Sequence, residues 1–260
     1  MNWRLGVVGS PVAHSLSPQL HEAGLRLAGL TGTSTRVELA LADAEELGEL
    51  LPSKFDALSV TSPLKGAAFA IAKERSEAAE RTQSVNSLLV REGILCGAST
   101  DGEGFISSLT YAFGPVVDNA HVAVLGAGGA ASAIVDALVQ HGAASVAVLG
   151  RTGSRVEAIV NRYSNVFPAA LVYRPIDLIV NTIPVAGRAI EAAVLQGVQH
   201  DTIAVDVSYV PRESEWLIRY EEAGCRTMNG LGMLAFQAAL QMEWWWGVTL
   251  EGAQLLEALL

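Results

Sequence analysis

Residues 122–131 read Val-Ala-Val-Leu-Gly126-Ala127-Gly128-Gly129-Ala130-Ala131, which is a short apolar strand, a glycine turn and the start of a helix. The spacing Gly126-x-Gly128-x-x-Ala131 gives each small residue a task. Gly126 permits the tight turn, Gly128 lets backbone approach a pyrophosphate, and Ala131 lets helix and strand pack closely. The helix N-terminus then meets phosphate charge. A glycine pattern alone is weak, but a strand before it and a helix after it make it a dinucleotide fingerprint. Such a unit belongs in a largely parallel α/β layer.

The second strand of this unit selects the dinucleotide. An NAD site usually places an acid about 20 residues on, at that strand's end, to hold the ribose hydroxyls. Here the chain reads Val146-Ala-Val-Leu-Gly150-Arg151-Thr152-Gly153-Ser154-Arg155, without a carboxylate. Arg151, Thr152 and Arg155 stand where a 2′-phosphate would lie. Charged hydrogen bonds contribute roughly 1.5–3 kcal/mol each, so two arginines supply up to ~3–6 kcal/mol before desolvation losses. The expectation is NADP, and the plain alternative is a pair of surface arginines at a strand end.

Strands and helices alternate along the whole chain. In the first half, strands are expected over Arg4–Gly9, Thr35–Leu39, Ala57–Thr61, Ser87–Arg91 and Ile94–Gly97. Helices are expected over Pro18–Ala28, Ala42–Leu51, Pro63–Lys73 and Ser76–Thr82, with a hairpin turn at Arg91-Glu92-Gly93. The second half gives strands His121–Gly126, Ser145–Leu149, Asp177–Asn181 and Thr202–Val207. Its helices are Gly129–His141 and Ser154–Arg162, followed by Met233–Trp246 and Leu250–Leu259. Gly114, Pro115 and Asp118 make the segment Ala112–Asn119 the expected hinge between two domains. The fold class is α/β.

Composition narrows the function classes. A net charge of −10 over 260 residues argues against a nucleic-acid surface, and means that an anionic ligand needs local positive compensation. No apolar run reaches the ~18 residues of a membrane span, and the N-terminus lacks the apolar core of a signal peptide. Cys96 and Cys225 have no metal-type spacing, and the histidines at 14, 21, 121, 141 and 200 are scattered. Reduced thiols, a cytoplasmic location and no metal are the expectations.

Four segments of the first half, and one residue near the C-terminus, carry possible chemistry. In Thr61-Ser62-Pro63-Leu64-Lys65, Ser62 is biased to an extended conformation by the proline, and Pro63 suits the first helical position. That puts Lys65 in the first turn, where a cation opposes the macrodipole; a lysine so placed is suited to act as a base, or is simply a solvated surface group. In Gly9–His21, Ser17 reads as an N-cap with Pro18 following. Ser15 and Ser17 beside a helix start make a compact anion site, or Ser17 caps the helix and nothing more. Asp101 in Ser99-Thr100-Asp101-Gly102 and Asn86 in Ser84-Val-Asn86-Ser87 are turn residues by default and ligand contacts by hypothesis. Gln237, inside an apolar helix, either faces solvent or reaches into a cleft.

Taken together these segments resemble shikimate dehydrogenases, nearly end to end. The serine loop Gly9–His21, the lysine motif Val60–Lys65, Ser99–Gly102, the basic motif Gly150–Arg155 and Gly230–Ala238 occur in the family's order. The resemblance implies an N-terminal substrate-binding domain and a Rossmann NADP domain, with the C-terminal helices returning to the first: 1–104 and 231–260 against 105–230. It implies that Lys65 and Asp101 form the catalytic pair. Ser15 and Ser17 would hold the substrate carboxylate, with Tyr209 and Gln237 nearby. Thr61, Lys65, Asn86, Asp101 and Gln237 would contact the ring hydroxyls. NADP would lie on Gly126, Ala127, Gly128, Gly129, Ala130, Arg151, Thr152, Arg155 and Gly230. The implied reaction is reversible oxidation of shikimate to 3-dehydroshikimate, in aromatic amino acid biosynthesis, by a monomer or homodimer with a small-molecule substrate.

The chain departs from the family pattern at several places. Asn is usual where Ser59 and Gly150 stand; the first change is expected to loosen a hydroxyl contact, the second to remove a side chain near the adenine ribose. Glu22 replaces a common Asn beside His21. The stretch from Arg155 to Asp177 is short, so a helix there is expected to shrink to a loop. Rival readings are a quinate or aminoshikimate dehydrogenase, methylenetetrahydrofolate dehydrogenase, and a non-catalytic NADP sensor of the same fold.

Overall fold

The computed structural model describes residues 2–169, 175–183 and 198–260. The chain divides into two compact units, 1–108 with 234–260, and 109–233. Each holds a six-stranded sheet among the described residues.

The first unit contains β1 (Asn2–Gly9), α1 (Ser17–Leu27), β2 (Thr31–Glu38), a 3₁₀ segment (Leu41–Gly48), β3 (Ala57–Val60), α2 (Lys65–Ile71), β4 (Glu74–Arg75), α3 (Glu77–Thr82), β5 (Ser87–Arg91) and β6 (Ile94–Ala98). Helix α4 (Asp101–Phe113) leaves this unit and α8 (Leu231–Trp246) returns to it, followed by α9 (Gly252–Glu257). Strand order is β2-β1-β3-β5-β6-β4. The sheet is mixed, because β5 and β6 form the expected hairpin and β5 runs antiparallel to β3, whereas β1 is parallel to β2 and β3. Glu92 and Gly93 both have positive φ, 51° and 80°, as a tight hairpin turn requires.

Alternation along β3 sends its side chains to two separate cores. Leu58 and Val60 join Val8, Leu47, Leu64 and Ala68 on one face, while Ala57 joins Leu20, Ala235, Ala239 and Met242 on the other. Ser59 therefore faces α1 and α8 by the period of two.

Three local readings need correction. Ser17 is the first residue of α1 rather than its N-cap; Leu16 holds that position, and no side chain caps the helix. Helix α2 starts at Lys65, not Pro63, because Thr61–Leu64 form a turn of their own, closed by the Leu64 N–H on the Thr61 carbonyl at 3.0 Å. The helix expected over Ala42–Leu51 is a shorter 3₁₀ segment interrupted at Asp43.

The second unit contains β7 (His121–Leu125), α5 (Gly129–Gln140), β8 (Ser145–Leu149), α6 (Gly153–Val160), β9 (Val166–Pro168), β10 (Ile176–Asn181), β11 (Val198–Asp206), α7 (Glu215–Glu222) and β12 (Arg226–Asn229). All neighbouring strands are parallel, in the order β12-β11-β10-β7-β8-β9. This is the doubly wound dinucleotide-binding arrangement, with its order reversing between β7 and β10. The expected loss of a helix ahead of Asp177 falls partly on 170–174, outside the described residues. Cys96 and Cys225 are free and buried, and burial raises both thiols. No described helix is long and apolar enough to cross a membrane.

Candidate active site

Strand polarity gathers the first unit's chemistry at one end of its sheet. The parallel strands β1 and β3 end there, leading into the Gly9–Ser17 loop and Thr61–Lys65. The antiparallel β5 begins there just after Asn86, and β6 ends there ahead of Thr100 and Asp101. Asp101 is not a turn residue: it is the first residue of α4, where a carboxylate is favoured by the macrodipole.

Lys65 Nζ donates to Asp101 Oδ2 at 2.6 Å, with side chains only 14% and 6% exposed. Asn86, fully inside, ties the pair to its neighbours. Its Nδ2 reaches Asp101 Oδ1 at 3.0 Å, Gln237 Oε1 at 3.0 Å and Thr100 Oγ1 at 2.9 Å. Its Oδ1 accepts the Thr100 N–H at 2.9 Å, and Thr100 Oγ1 donates to the Gln237 carbonyl at 3.0 Å. Gln237 therefore reaches inward rather than to solvent. Gly104 explains how α8 comes so close: a Cβ there would lie 2.5 Å from the Gln237 backbone.

The serine loop lies beside this cluster in the fold. Ser15 Oγ accepts the Ser17 N–H at 3.2 Å and lies 3.2 Å from Ser17 Oγ, so the two hydroxyls form one patch. Arg36 on β2, which sequence reasoning passed over, donates from Nε and Nη2 to the Ser15 carbonyl at 2.9 and 2.5 Å. It brings a cation to an anion-type loop of an acidic chain. Its only signal in the sequence is an arginine in a strand otherwise without basic residues.

Ser59 is tied into the interior of the first unit. Its Oγ donates to Gln241 Oε1 at 2.5 Å and lies 2.8 Å from His21 Nε2, all three residues being buried. Burial pushes His21 down to about 3, only partly offset by hydrogen bonding to Gln241.

In the second unit, β7, β8, β10, β11 and β12 all point their C-terminal ends to one edge. At the switch between β7 and β10, Gly126 takes φ +118°, and a Cβ there would sit 2.0 Å from Thr182 Oγ1. Gly128 is the N-cap of α5, with nothing within 4 Å of a Cβ built on it, and Gly129 opens the helix with Ala130 behind it. Ala127 is half-buried in the turn. Backbone here is open to a close-approaching phosphate, as a dinucleotide requires.

After β8, Thr152 is the N-cap of α6. Arg151 and Arg155 are exposed and enter no ion pair among the described residues. Gly150 is closely packed, since a Cβ would meet Val156 Cγ2 at 2.9 Å and Ala127 Cβ at 3.1 Å, so an asparagine would crowd this turn. Tyr209 follows β11 on a loop shaped by buried Asp206, which accepts from the Ser208 N–H and the Ser214 hydroxyl. Gly230 precedes α8 and donates its N–H to the Ser208 carbonyl. The residues thus form two sets, one per unit: Ser15, Ser17, Thr61, Lys65, Asn86, Asp101 and Gln237 in the first, and the glycine turn, Arg151, Thr152, Arg155, Tyr209 and Gly230 in the second. Among the described residues, no group of three His, Cys, Asp or Glu is placed to hold a metal ion.

Known proteins share this chain's sequence family and fold. Residues 7–88 match the shikimate dehydrogenase substrate binding domain, and 110–215 match the shikimate / quinate 5-dehydrogenase family. A shikimate dehydrogenase (NADP(+)) of Mesorhizobium japonicum is 34% identical over 98% of this chain and 94% of its own length. Among solved structures, shikimate 5-dehydrogenase from Thermus thermophilus, in complex with NADP(H) and shikimate, is 33% identical with a TM-score of 0.86, covering 98% of both chains. The ligand-free 5-ketofructose reductase of Gluconobacter sp. strain CHM43 has the same fold at 27% identity and a TM-score of 0.82, over 100% of this chain and 98% of its own. With its two units, their strand-end sites and a relative of this identity over nearly its full length, the chain belongs to the shikimate dehydrogenase family.

Proposed function

We propose that this protein is an NADP-dependent shikimate dehydrogenase, an oxidoreductase that converts shikimate reversibly to 3-dehydroshikimate in aromatic amino acid biosynthesis. The observation that carries the reading is the largely buried Lys65–Asp101 pair at 2.6 Å, enclosed by Asn86 and Gln237 at the strand ends of the first unit.

The first unit, taken as residues 1–104 and 231–260, binds the substrate. Ser15 and Ser17 hold its carboxylate, and the Arg36 guanidinium at the Ser15 carbonyl supplies positive charge in a chain of net charge −10. Thr61, Asn86, Asp101 and Gln237 orient the ring hydroxyls, with Tyr209 adding a hydroxyl at the carboxylate end. Two carboxamides and a carboxylate already bonded to one another fix where those hydroxyls lie, which is the condition for efficient positioning.

NADP, when bound, supplies the hydride acceptor. Gly126, Ala127, Gly128, Gly129 and Ala130 would carry its pyrophosphate, Arg151, Thr152 and Arg155 its 2′-phosphate, and Gly230 would lie against it. The chain's own part is the proton. As the C–H bond of the substrate carbinol gives up its electron pair, the hydroxyl proton must leave, and Lys65 Nζ receives it as general base. Asp101 Oδ2 holds Lys65 in place, and Oδ1 with Asn86 orients the hydroxyl. In reverse, Lys65 returns the proton to the carbonyl oxygen. The buried free cysteines fit a reducing compartment, the cytoplasm.

The test is a four-way assay of purified protein: shikimate against quinate, NADP against NAD, followed by NADPH or NADH absorbance. Turnover of shikimate with NADP is expected. Activity with NAD alone overturns the reading of Arg151 and Arg155, and turnover of quinate in preference to shikimate overturns the substrate.

A further inference from the structure

Asn86 is gripped by its main chain as well as its side chain. Its carbonyl accepts the Val60 N–H at 2.7 Å and Gln241 Nε2 at 2.8 Å. Gln241 lies one turn beyond Gln237 on α8, so consecutive turns hold the carbonyl and the carboxamide of the same residue. Behind Gln241 the contacts continue to Ser59 Oγ (2.5 Å), from there to His21 Nε2 (2.8 Å), and from His21 Nδ1 to Ser34 Oγ (2.7 Å).

Counting hydrogens fixes the direction of every link. A carbonyl only accepts, so Gln241 must turn its NH₂ towards Asn86 and its oxygen towards Ser59. Ser59 has one hydrogen, and the amide oxygen takes it. Ser59 Oγ can then only accept from His21, so the imidazole proton sits on Nε2. Nδ1 is left as an acceptor for the Ser34 hydroxyl. The opposite tautomer would leave two acceptors facing the single Ser59 hydrogen, and a buried acceptor without a donor is costly. Asn86 alone in this chain of bonds touches the Lys65–Asp101 pair, through its side chain on Asp101; Gln241, Ser59 and His21 act only behind it.

We propose that His21, as the neutral Nε2–H tautomer, together with Ser59 and Gln241, is a positioning device that fixes Asn86 for the substrate. The inference rests on the reading of Asn86 as a substrate ligand. The three residues act through the Asn86 carbonyl: with both its acceptor sites occupied, the peptide plane is set, and the side chain is aimed at Asp101 and Gln237. They are positioning residues, not catalytic ones.

Two measurements test it. In protein labelled with ¹⁵N-histidine, long-range ¹H–¹⁵N spectra are expected to show His21 protonated at Nε2 and unprotonated at Nδ1 across neutral pH. A proton on Nδ1 overturns the relay. The second compares Ser59→Thr with Ser59→Val, which fill the same volume and differ only in the hydroxyl. The valine variant is expected to have kcat/KM for shikimate about tenfold below the threonine variant, with equal KM for NADP. Equal kcat/KM in the two overturns the positioning role, whatever their thermal stabilities. Asn86→Ala separates the levels: unchanged shikimate kinetics there, with the Nε2–H tautomer observed, refutes Asn86 as a ligand and leaves the relay a structural feature only.

Discussion

At the strand ends of the first unit, Lys65, Asn86, Asp101 and Gln237 are buried or half-buried and already bonded to one another. At those of the second, Arg151, Thr152 and Arg155 are exposed, and the glycine turn offers backbone rather than side chains. Both sets sit at the ends of sheets, yet as the proposed substrate and cofactor sites they would recognise by different physics. Buried polar groups with fixed partners reject a ligand whose hydroxyls do not match, because a mismatch strands a donor or acceptor away from water. Exposed cations around open backbone attract charge over a distance, with less worth per contact and more sensitivity to salt. On the proposed function, the same chain places shape discrimination in one unit and adjustable electrostatic capture in the other.

The largest expected effect tests the enclosed site. Lys65→Ala should lower kcat by ~10²–10⁴-fold with little change in KM for shikimate, as removal of a general base does. NADPH absorbance under saturating shikimate reads this directly, and near-normal turnover would show that the Lys65–Asp101 pair is structural only. Next comes the tight turn beside the open site. Gly150→Asn puts a side chain against Val156 and Ala127, and should cost ~1–3 kcal/mol of stability by chemical denaturation. An unchanged midpoint would mean that this turn relaxes at no cost.

Salt then distinguishes the two sites. Arg151→Ala should raise KM for NADP about tenfold at low ionic strength, and the gap to the parent should narrow as salt is added. KM for shikimate should be far less affected, and an equal shift in both constants would erase the contrast between the units. The smallest effect at neutral pH comes from His21. Its folded value of about 3 lies below the ordinary 6.5, so as pH falls the unfolded chain takes up the proton first. Its contribution to stability is complete above about pH 6.5 and is lost towards pH 3, by up to ~1.4 kcal/mol per unit. Urea unfolding of His21→Asn at several pH values between these limits should give a shallower pH slope than the parent; identical slopes would mean that His21 titrates normally.

How much of this was legible in the sequence depends on where each signal lives. The strand before Gly126 and the helix after it announce themselves locally, and the expected bounds of β8 agree with the structure to the residue. Helix α4 is not legible in the sequence because Gly102 and Gly104 look like turn residues; Gly104 lets α8 approach, a reason that exists only in three dimensions. Strands β4, β9 and β12 are short and owe their conformation to a neighbouring strand more than to their own residues. Motifs mark Lys65, Asp101, Asn86 and Gln237, but their mutual bonds exist only in three dimensions. Gln241 was invisible, since a second glutamine in an apolar helix carries no mark of what it reaches.

Helix α8 is apolar around most of its circumference, Leu-Gly-Met-Leu-Ala-Phe-Gln-Ala-Ala-Leu-Gln-Met-Glu-Trp-Trp-Trp, so hydrophobic packing alone would accept it at more than one rotation and height. A slip of one residue turns a helix by ~100° and moves it ~1.5 Å along its axis, more than a hydrogen bond tolerates. Gln237 and Gln241, bound to two ends of one asparagine, act as a two-pin key that admits a single setting. The apolar surface supplies adhesion, and two buried amides decide the register.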